Sequence, residues 1–330
     1  MVEPLQTLDT MHTDMVHDAQ LDFYGDRLAT CSTDKTIKIF RVKEGRHELE
    51  QTVQGHSGPV WQVAWANPKH GNYLASCSAD KTVIIWEEVE SGWIAAHRHT
   101  DPKAGSMNTI AWSPHEDALQ LAIGTSEGQI SLLTLTDGQW HFSEVAHHDD
   151  PAFLNGVLGI SWAPPSVAFT HADVHGEYRL VACGCDTEVK IYKGTREQGH
   201  ETVWDEEERL PVVHQSWVRD VSWAPQIGLA AATIASCGQD NAVFVYSKDH
   251  ASGEWHAQQL GDTADLPVWR VSWSLAGNVL AVACGDSTGV TKLYKQNLNG
   301  RWNCIKTIKD PSPPPNSTTH TTDQPNTMPV

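Results

Sequence analysis

Four five-residue segments of this chain are rich in β-branched and aromatic residues and largely apolar: TIKIF (residues 36–40), TVIIW (82–86), EVKIY (188–192) and AVFVY (242–246). Their β-branched and aromatic content fits strands, and a strand that is apolar on both faces is one packed on both faces. Each is preceded, across a turn carrying an aspartate, by another apolar run: LATCSTD from Leu28, LASCSAD from Leu74, LVACGCD from Leu180 and IASCGQD from Ile234. Upstream of such runs lie segments ending in tryptophan, namely PVWQVAW, MNTIAWSP, VLGISWAP, WVRDVSWAP and PVWRVSW. Downstream, glycine-containing turns open a further strand at SGW, DGQW, SGEW and NGRW, which puts Trp93, Trp140, Trp255 and Trp302 at outer edges. The pattern is four strands per unit.

A looser copy, LAVACGDSTGVTKLY, begins at Leu280, and a degenerate one lacking the aspartate, LAIGTSEGQISLLTL, begins at Leu121, making six units. Asp34 to Asp80 spans 46 residues, Asp240 to Asp286 again 46, and Asp186 to Asp240 54. A period in the forties with four short strands per unit predicts an all-β, six-bladed propeller rather than a solenoid of helix pairs. The repetition also bears on chemistry. LASCSADKTVIIW (74–86) gathers Ser76, Cys77 and Asp80, with His56 upstream, which is the raw material of a nucleophilic site. No enzyme needs its site copied around a ring, so these residues read as structural.

Counting strands shows how the ring would close. Unit one starts near His17 and has its own outer strand, HELEQTV (47–53); unit six has RWNCIKTI (301–308). No blade is left short, so no strand is needed as a clasp, although PLQTL (4–8) could form an irregular one. Residues 1–16 read as an N-terminal extension, 17–309 as the propeller, and 310–330, rich in Pro, Ser and Thr, as a disordered tail. A ring of six complete blades leaves the free faces of blades one and six to pack directly or to receive a strand-bearing partner.

Composition narrows the function classes. Lys plus Arg number 23 against 41 Asp plus Glu, a net charge of −18, which disfavours direct contact with nucleic acid or anionic lipid. The clearest acidic run is WDEEE (204–208), at once a candidate solvated edge and a candidate docking patch. There is no eighteen-residue apolar run for membrane insertion and no basic, apolar leader, so folding in the cytosol or nucleus is expected. Seven cysteines are an odd number, and Cys31, Cys77, Cys183 and Cys237 each stand three residues before an aspartate, the phase of a small buried side chain. HRH (97–99) and HHDD (147–150) are expected in loops between units without a second ligand group, and CGC (183–185) has no second pair at zinc spacing. No metal or cofactor is expected. Neither a glycine-rich phosphate loop nor G-x-S-x-G occurs, so a propeller enzyme is not expected.

At this point the chain resembles the WD-repeat family, whose blades carry a hydrogen-bonded tetrad of His, Ser or Thr, Asp and Trp. The resemblance implies that His56, Ser76, Asp80 and Trp86 form one tetrad, and that His214, Ser236 and Asp240 form another with Tyr246 in place of Trp. Residues 17–40, 58–80, 216–226 and 269–281 sharpen it: from about residue 12 to 309 the chain is similar to the small propeller subunits of the COPII outer coat, the secretory protein thirteen family. That resemblance implies a non-enzymatic scaffold, an open ring completed by a blade inserted from a solenoid partner. Its partners would be the outer-coat large subunit, in a heterotetramer on vesicles leaving the endoplasmic reticulum for the Golgi, and a solenoid nucleoporin of the nuclear pore Y-complex. A vacuolar complex in nutrient signalling is a third setting. The expected locations are the cytoplasmic face of the endoplasmic reticulum, COPII vesicles and the nuclear pore. Leu21 and Phe23 in the first strand of blade one, with Trp302 and Ile305 in the last strand of blade six, are the candidate partner-binding residues. The alternatives are a nuclear-pore-only paralogue and a generic WD-repeat adaptor of the ubiquitin-ligase-receptor or histone-binding type.

Overall fold

The computed structural model describes residues 8–43, 46–114, 119–146, 150–164, 177–195, 202–225, 231–249, 251–261, 267–285 and 289–309. Blade one comprises β1 (Val16–Leu21), β2 (Arg27–Ser32), β3 (Thr36–Lys43) and β4 (Arg46–Gln54). Blade two comprises β5 (Val60–Trp65), β6 (Tyr73–Ser78), β7 (Thr82–Val89) and β8 (Gly92–Thr100). Blade three follows with β9 (Met107–Trp112), β10 (Gln120–Thr125), β11 (Ile130–Thr136) and β12 (Gln139–Ala146). Blade four has β13 (Val157–Trp162), β14 (Glu177–Gly184), β15 (Val189–Thr195) and β16 (Val203–Arg209). Blade five has β17 (Val218–Trp223), β18 (Thr233–Gly238), β19 (Val243–Lys248) and β20 (Trp255–Gln259). Blade six ends the series with β21 (Val268–Trp273), β22 (Val279–Cys284), β23 (Val290–Gln296) and β24 (Trp302–Lys309). Each blade is a four-stranded antiparallel meander in chain order, and the six form a propeller.

The aspartate turns make the central hairpins. Oδ1 of Asp34, Asp80 and Asp240 accepts the N–H two residues on, from Thr36 (3.0 Å), Thr82 (3.0 Å) and Ala242 (3.2 Å). The intervening Lys35, Lys81 and Asn241 are thereby held at φ of 71°, 68° and 62°. A left-handed non-glycine residue costs about 1–2 kcal/mol, which the carboxylate bonds offset. Blade three solves the same turn without aspartate: Gly128 takes φ 87°, and a Cβ there would lie 1.8 Å from the Phe153 carbonyl oxygen. This explains why the third unit looked degenerate in sequence.

The apolar faces meet between blades. Among the described residues five hydrophobic clusters form, one at each successive joint from blades one and two to blades five and six. Cys31, Cys77, Cys183 and Cys237 are fully buried in them, as small core side chains, and burial pushes each thiol up from its ordinary range. The acidic WDEEE run lies within β16, where Arg179 pairs with Glu207 (2.7 Å) and Lys248 with Glu208 (2.7 Å). HRH, expected in a loop, instead lies within β8: His97 stacks on Trp140 and His99 on Phe142 of the neighbouring blade. Strand alternation accounts for this, since His97 and His99 share one face. His147 and His148 lie outside the described residues. No group of three His, Cys, Asp or Glu among the described residues could hold a metal, and no helix among them is long and apolar enough to cross a membrane.

Candidate functional site

The residues that looked catalytic do come together. His56 Nε2 lies 2.7 Å from Ser76 Oγ, its Nδ1 lies 3.2 Å from Asp80 Oδ2, and the Trp86 indole N–H donates to Ser76 Oγ at 2.9 Å. Burial alone would raise the Asp80 carboxyl, but bonds from His56, Thr82 and the Ser57 N–H hold it well below the usual carboxylate range. Blade five repeats the arrangement: His214 Nε2 is 2.7 Å from Ser236 Oγ, Nδ1 is 3.0 Å from Asp240, and the Tyr246 hydroxyl stands 3.3 Å from Ser236. Burial lowers the His214 pKa against the pull of Asp240. Both serines are fully buried. No substrate atom can reach Oγ, and the tetrads are joints of the blade rather than reaction centres.

A third joint of this kind, a hydrogen-bonded triad, was missed in sequence. His12 Nδ1 lies 2.8 Å from Asp34 and Nε2 2.9 Å from Thr30 Oγ1, with Phe40 in the position of Trp86. The segment before residue 17 thus contributes to blade one. The signal was a histidine 22 residues before the turn aspartate, against 24 in blade two and 26 in blade five.

The distinctive site is where blades one and six face each other. Inner strands pack in series, β1 on β5, β5 on β9, β9 on β13, β13 on β17 and β17 on β21, and no comparable packing joins β21 to β1. A cavity of about 680 Å³ runs from the ring axis, past His17, Trp61, Asn108 and Trp269, out along blade six past Ala283, Thr291 and Ile308. Side chains on its two sides show the missing contact. Leu74, Leu121, Leu180, Ile234 and Leu280 are fully buried, whereas Leu28, at the same position in blade one, is only half-buried. Ala235 and Cys237 are fully buried beneath blade six, whereas their counterparts Ala281 and Ala283 remain half-buried.

Tryptophan marks the same edge. The inner strands of blades two to six end in Trp65, Trp112, Trp162, Trp223 and Trp273. Indole N–H groups of four of these donate to a carbonyl of the preceding blade: Trp65 to Gln20 (2.9 Å), Trp112 to Ala64 (2.9 Å), Trp162 to Ala111 (2.9 Å) and Trp273 to Ser222 (3.0 Å). Each inner tryptophan also meets an outer one, as Trp65 meets Trp93 and Trp273 meets Trp302, both at 5.4 Å between ring centroids. Blade one has Leu21 and His47 at these positions.

Two of the four candidate residues therefore need correction. Trp302 is buried on the blade-five side, against Trp273, because it is one of the repeated outer tryptophans. Phe23 lies beyond β1, in the turn before β2, edge-on to Tyr24 at 5.2 Å. Leu21 ends β1 and is 57% exposed; Ile305 lies in β24 and is 56% exposed. Near the axis, burial pushes the Asp220 carboxyl up to about 6 and raises that of Asp18, both against the pull of Arg270.

Comparison with known proteins agrees with the geometry. Residues 2–41 and 47–87 match the family model described as WD domain, G-beta repeat. The chain is 45% identical to "Protein SEC13 homolog" of Homo sapiens over 316 residues, covering 93% of this chain and 94% of that one. It is 42% identical to the Drosophila melanogaster protein of the same name, covering 92% of this chain and 83% of that one. With "Protein transport protein SEC13" of Mycosarcoma maydis it shares 39% identity over 91% of this chain and 94% of that protein.

Proposed function

The chain belongs to the SEC13 family, and from that premise we propose that it is a non-enzymatic scaffold of protein transport whose open edge receives a seventh blade from a solenoid partner. In the endoplasmic reticulum to Golgi pathway that partner is the COPII outer-coat large subunit, with which the chain forms a heterotetrameric edge of the cage on vesicles. At the nuclear pore it is a solenoid nucleoporin of the Y-complex, and a vacuolar nutrient-signalling complex is a third setting. The chain acts by geometry: it stiffens a long partner at one point, and no bond of a substrate is broken.

One observation carries this reading. Blades one and six leave Leu28, Ala281 and Ala283 part-exposed at positions that every fully packed joint buries. An inserted blade would cover them, and apolar burial contributes about 25 cal/mol per Å² before ordering costs are subtracted. Free strand edges on the inserted segment would be shielded in the same step. The test is co-expression of the chain with the outer-coat large subunit, with and without its blade-forming segment. Co-purification is expected only with the segment present; binding that survives its deletion overturns the inserted-blade mechanism. A pull-down from cells that returns chromatin or ubiquitin-ligase components in place of solenoid proteins would favour a generic adaptor.

A further inference from the structure

At one level near the axis, three of the five joints between inner strands carry a bond of the same polarity, while at the joint of blades three and four the Asn108 amide instead donates to the Val157 carbonyl (3.1 Å). Asp18 Oδ2 accepts from the Val63 N–H (3.3 Å), Gln62 Oε1 from Ile110 (2.9 Å) and Asp220 Oδ2 from Val271 (3.0 Å). The acceptors share a single register position, opposite Cys31, Cys77 and Cys237 on the second strands. The donors share another, opposite Ser76, Ile123 and Val282. Blade four has Gly159 at the acceptor position, where a Cβ would lie 3.0 Å from the Val221 nitrogen, so the strands meet there without a side chain between them.

In blade six this position, opposite Ala283, is Arg270. A guanidinium has five donors and no acceptor. Val268, Val271 and Trp273 of the same strand pack towards blade five; Arg270 lines the cavity at the open edge, and its side chain is 42% exposed. Its nearest charge among the described residues is Asp18 of blade one, where Nη2 to Oδ1 is 3.8 Å, too long for a hydrogen bond. Among the described residues its donors have no hydrogen-bond acceptor.

We propose that Arg270 determines what the open edge accepts: an incoming inner strand that presents an oxygen, a main-chain carbonyl or a carboxylate, where three other joints present an N–H. The inference rests on the inserted-blade reading and adds a selection rule to it. A strand of this chain's own kind, offered by a second copy, would bring an N–H to the guanidinium and be refused, so the edge is held open for a partner of different pattern.

The experiment measures affinity of the full chain for the blade-forming segment of the outer-coat large subunit, with Arg270→Met, Arg270→Lys and Arg270→Glu beside the unaltered protein. A lost charge-assisted bond corresponds to about 10- to 100-fold weaker binding; Arg270→Met is expected in that range, Arg270→Glu at or beyond its upper end, and Arg270→Lys between Met and wild type. Glu207→Gln, on the outer strand of blade four, should bind as wild type. Arg270→Lys keeps a positive charge near Asp18 and Asp220 and should melt within a few degrees of wild type, whereas Arg270→Met and Arg270→Glu remove it and should melt lower, so affinity is read at a temperature where every variant is folded. A large fall in melting temperature with affinity unchanged in Arg270→Lys and Arg270→Met would mark a merely structural residue and overturn the proposal. So would Arg270→Glu binding as tightly as wild type. If wild type itself does not bind the segment, the inserted-blade reading falls and the role of Arg270 with it. Replacing each Asp and Glu of the segment by its amide then identifies the oxygen. One replacement that weakens binding and is non-additive with Arg270→Met identifies a carboxylate; none doing so identifies a carbonyl.

Discussion

His214 shows what the polar joints contribute one residue at a time. In the folded chain it links Ser236 to Asp240, and burial holds its pKa below the ordinary value near 6.5. The sign of the pH effect follows: as pH falls, the unfolded chain takes up the proton first. The stability His214 contributes is thus complete above about pH 6.5 and is lost as pH drops from there towards the lower folded value. Asp34 and Asp80, whose folded pKa values are depressed, act in a separate window: their contribution is complete above about pH 4 and is lost below it. Blade four shows that the histidine slot admits a different ring, for Phe153 stands there with Lys190 over its face at 4.9 Å. His214→Phe is therefore expected to fold but to lose about 1–3 kcal/mol at pH 7.5, because Ser236 and Asp240 lose their partner. Urea unfolding midpoints at pH 7.5 and 5.5 test the linkage. The gap between variant and wild type should narrow at the lower pH, and an equal gap at both would show that the His214 proton is not coupled to folding.

Strands carry the contrast between a closed joint and an open one. Trp273 bonds to Ser222 of blade five and packs on Trp302, whereas Leu21 holds the equivalent place in blade one with no blade in front of it. Trp273→Leu should cost about 2–4 kcal/mol, a buried aromatic truncation together with one hydrogen bond. Leu21→Trp should change the stability of the free chain by no more than about 0.5 kcal/mol. Equal losses from the two substitutions would mean that blade one is as fully packed as the rest. The four-strand units were legible in sequence because TVIIW and its sisters are apolar on both faces and the aspartate turn punctuates them at a fixed phase. The open edge was legible from the strand count, and the same information stands in a second form: blade one lacks both the inner and the outer tryptophan. Trp302 belongs with Trp93, Trp140 and Trp255, and the repetition of these tryptophans marks a core position of every joint rather than a free edge. Arg270 could not be singled out, since the polarity of its neighbours' bonds exists only once five strands stand in register.

The whole molecule is a stack of six blades bent into a ring and secured at five joints, and its ends should behave as ends. Among the described residues blades one and six each lack a covering blade on one side, so local opening should cost least there. In the free chain, amides of Ala281 to Cys284 are expected to exchange faster than those of Ala122 to Gly124, which lie in a fully buried strand of blade three. A partner segment at one hundred times its dissociation constant stabilises the folded chain by about 2.7 kcal/mol. Where that protection appears locates the contact. Insertion at the open edge should slow exchange first in β2, β22 and β23, with β10 and β14 following only to the extent that global unfolding is suppressed. A generic top-face adaptor would instead protect loops around the axis and leave β22 and β23 as fast as before. Protection that begins in blades three and four would place the partner on the closed side of the ring, and the open edge would then lack the function its exposed side chains suggest.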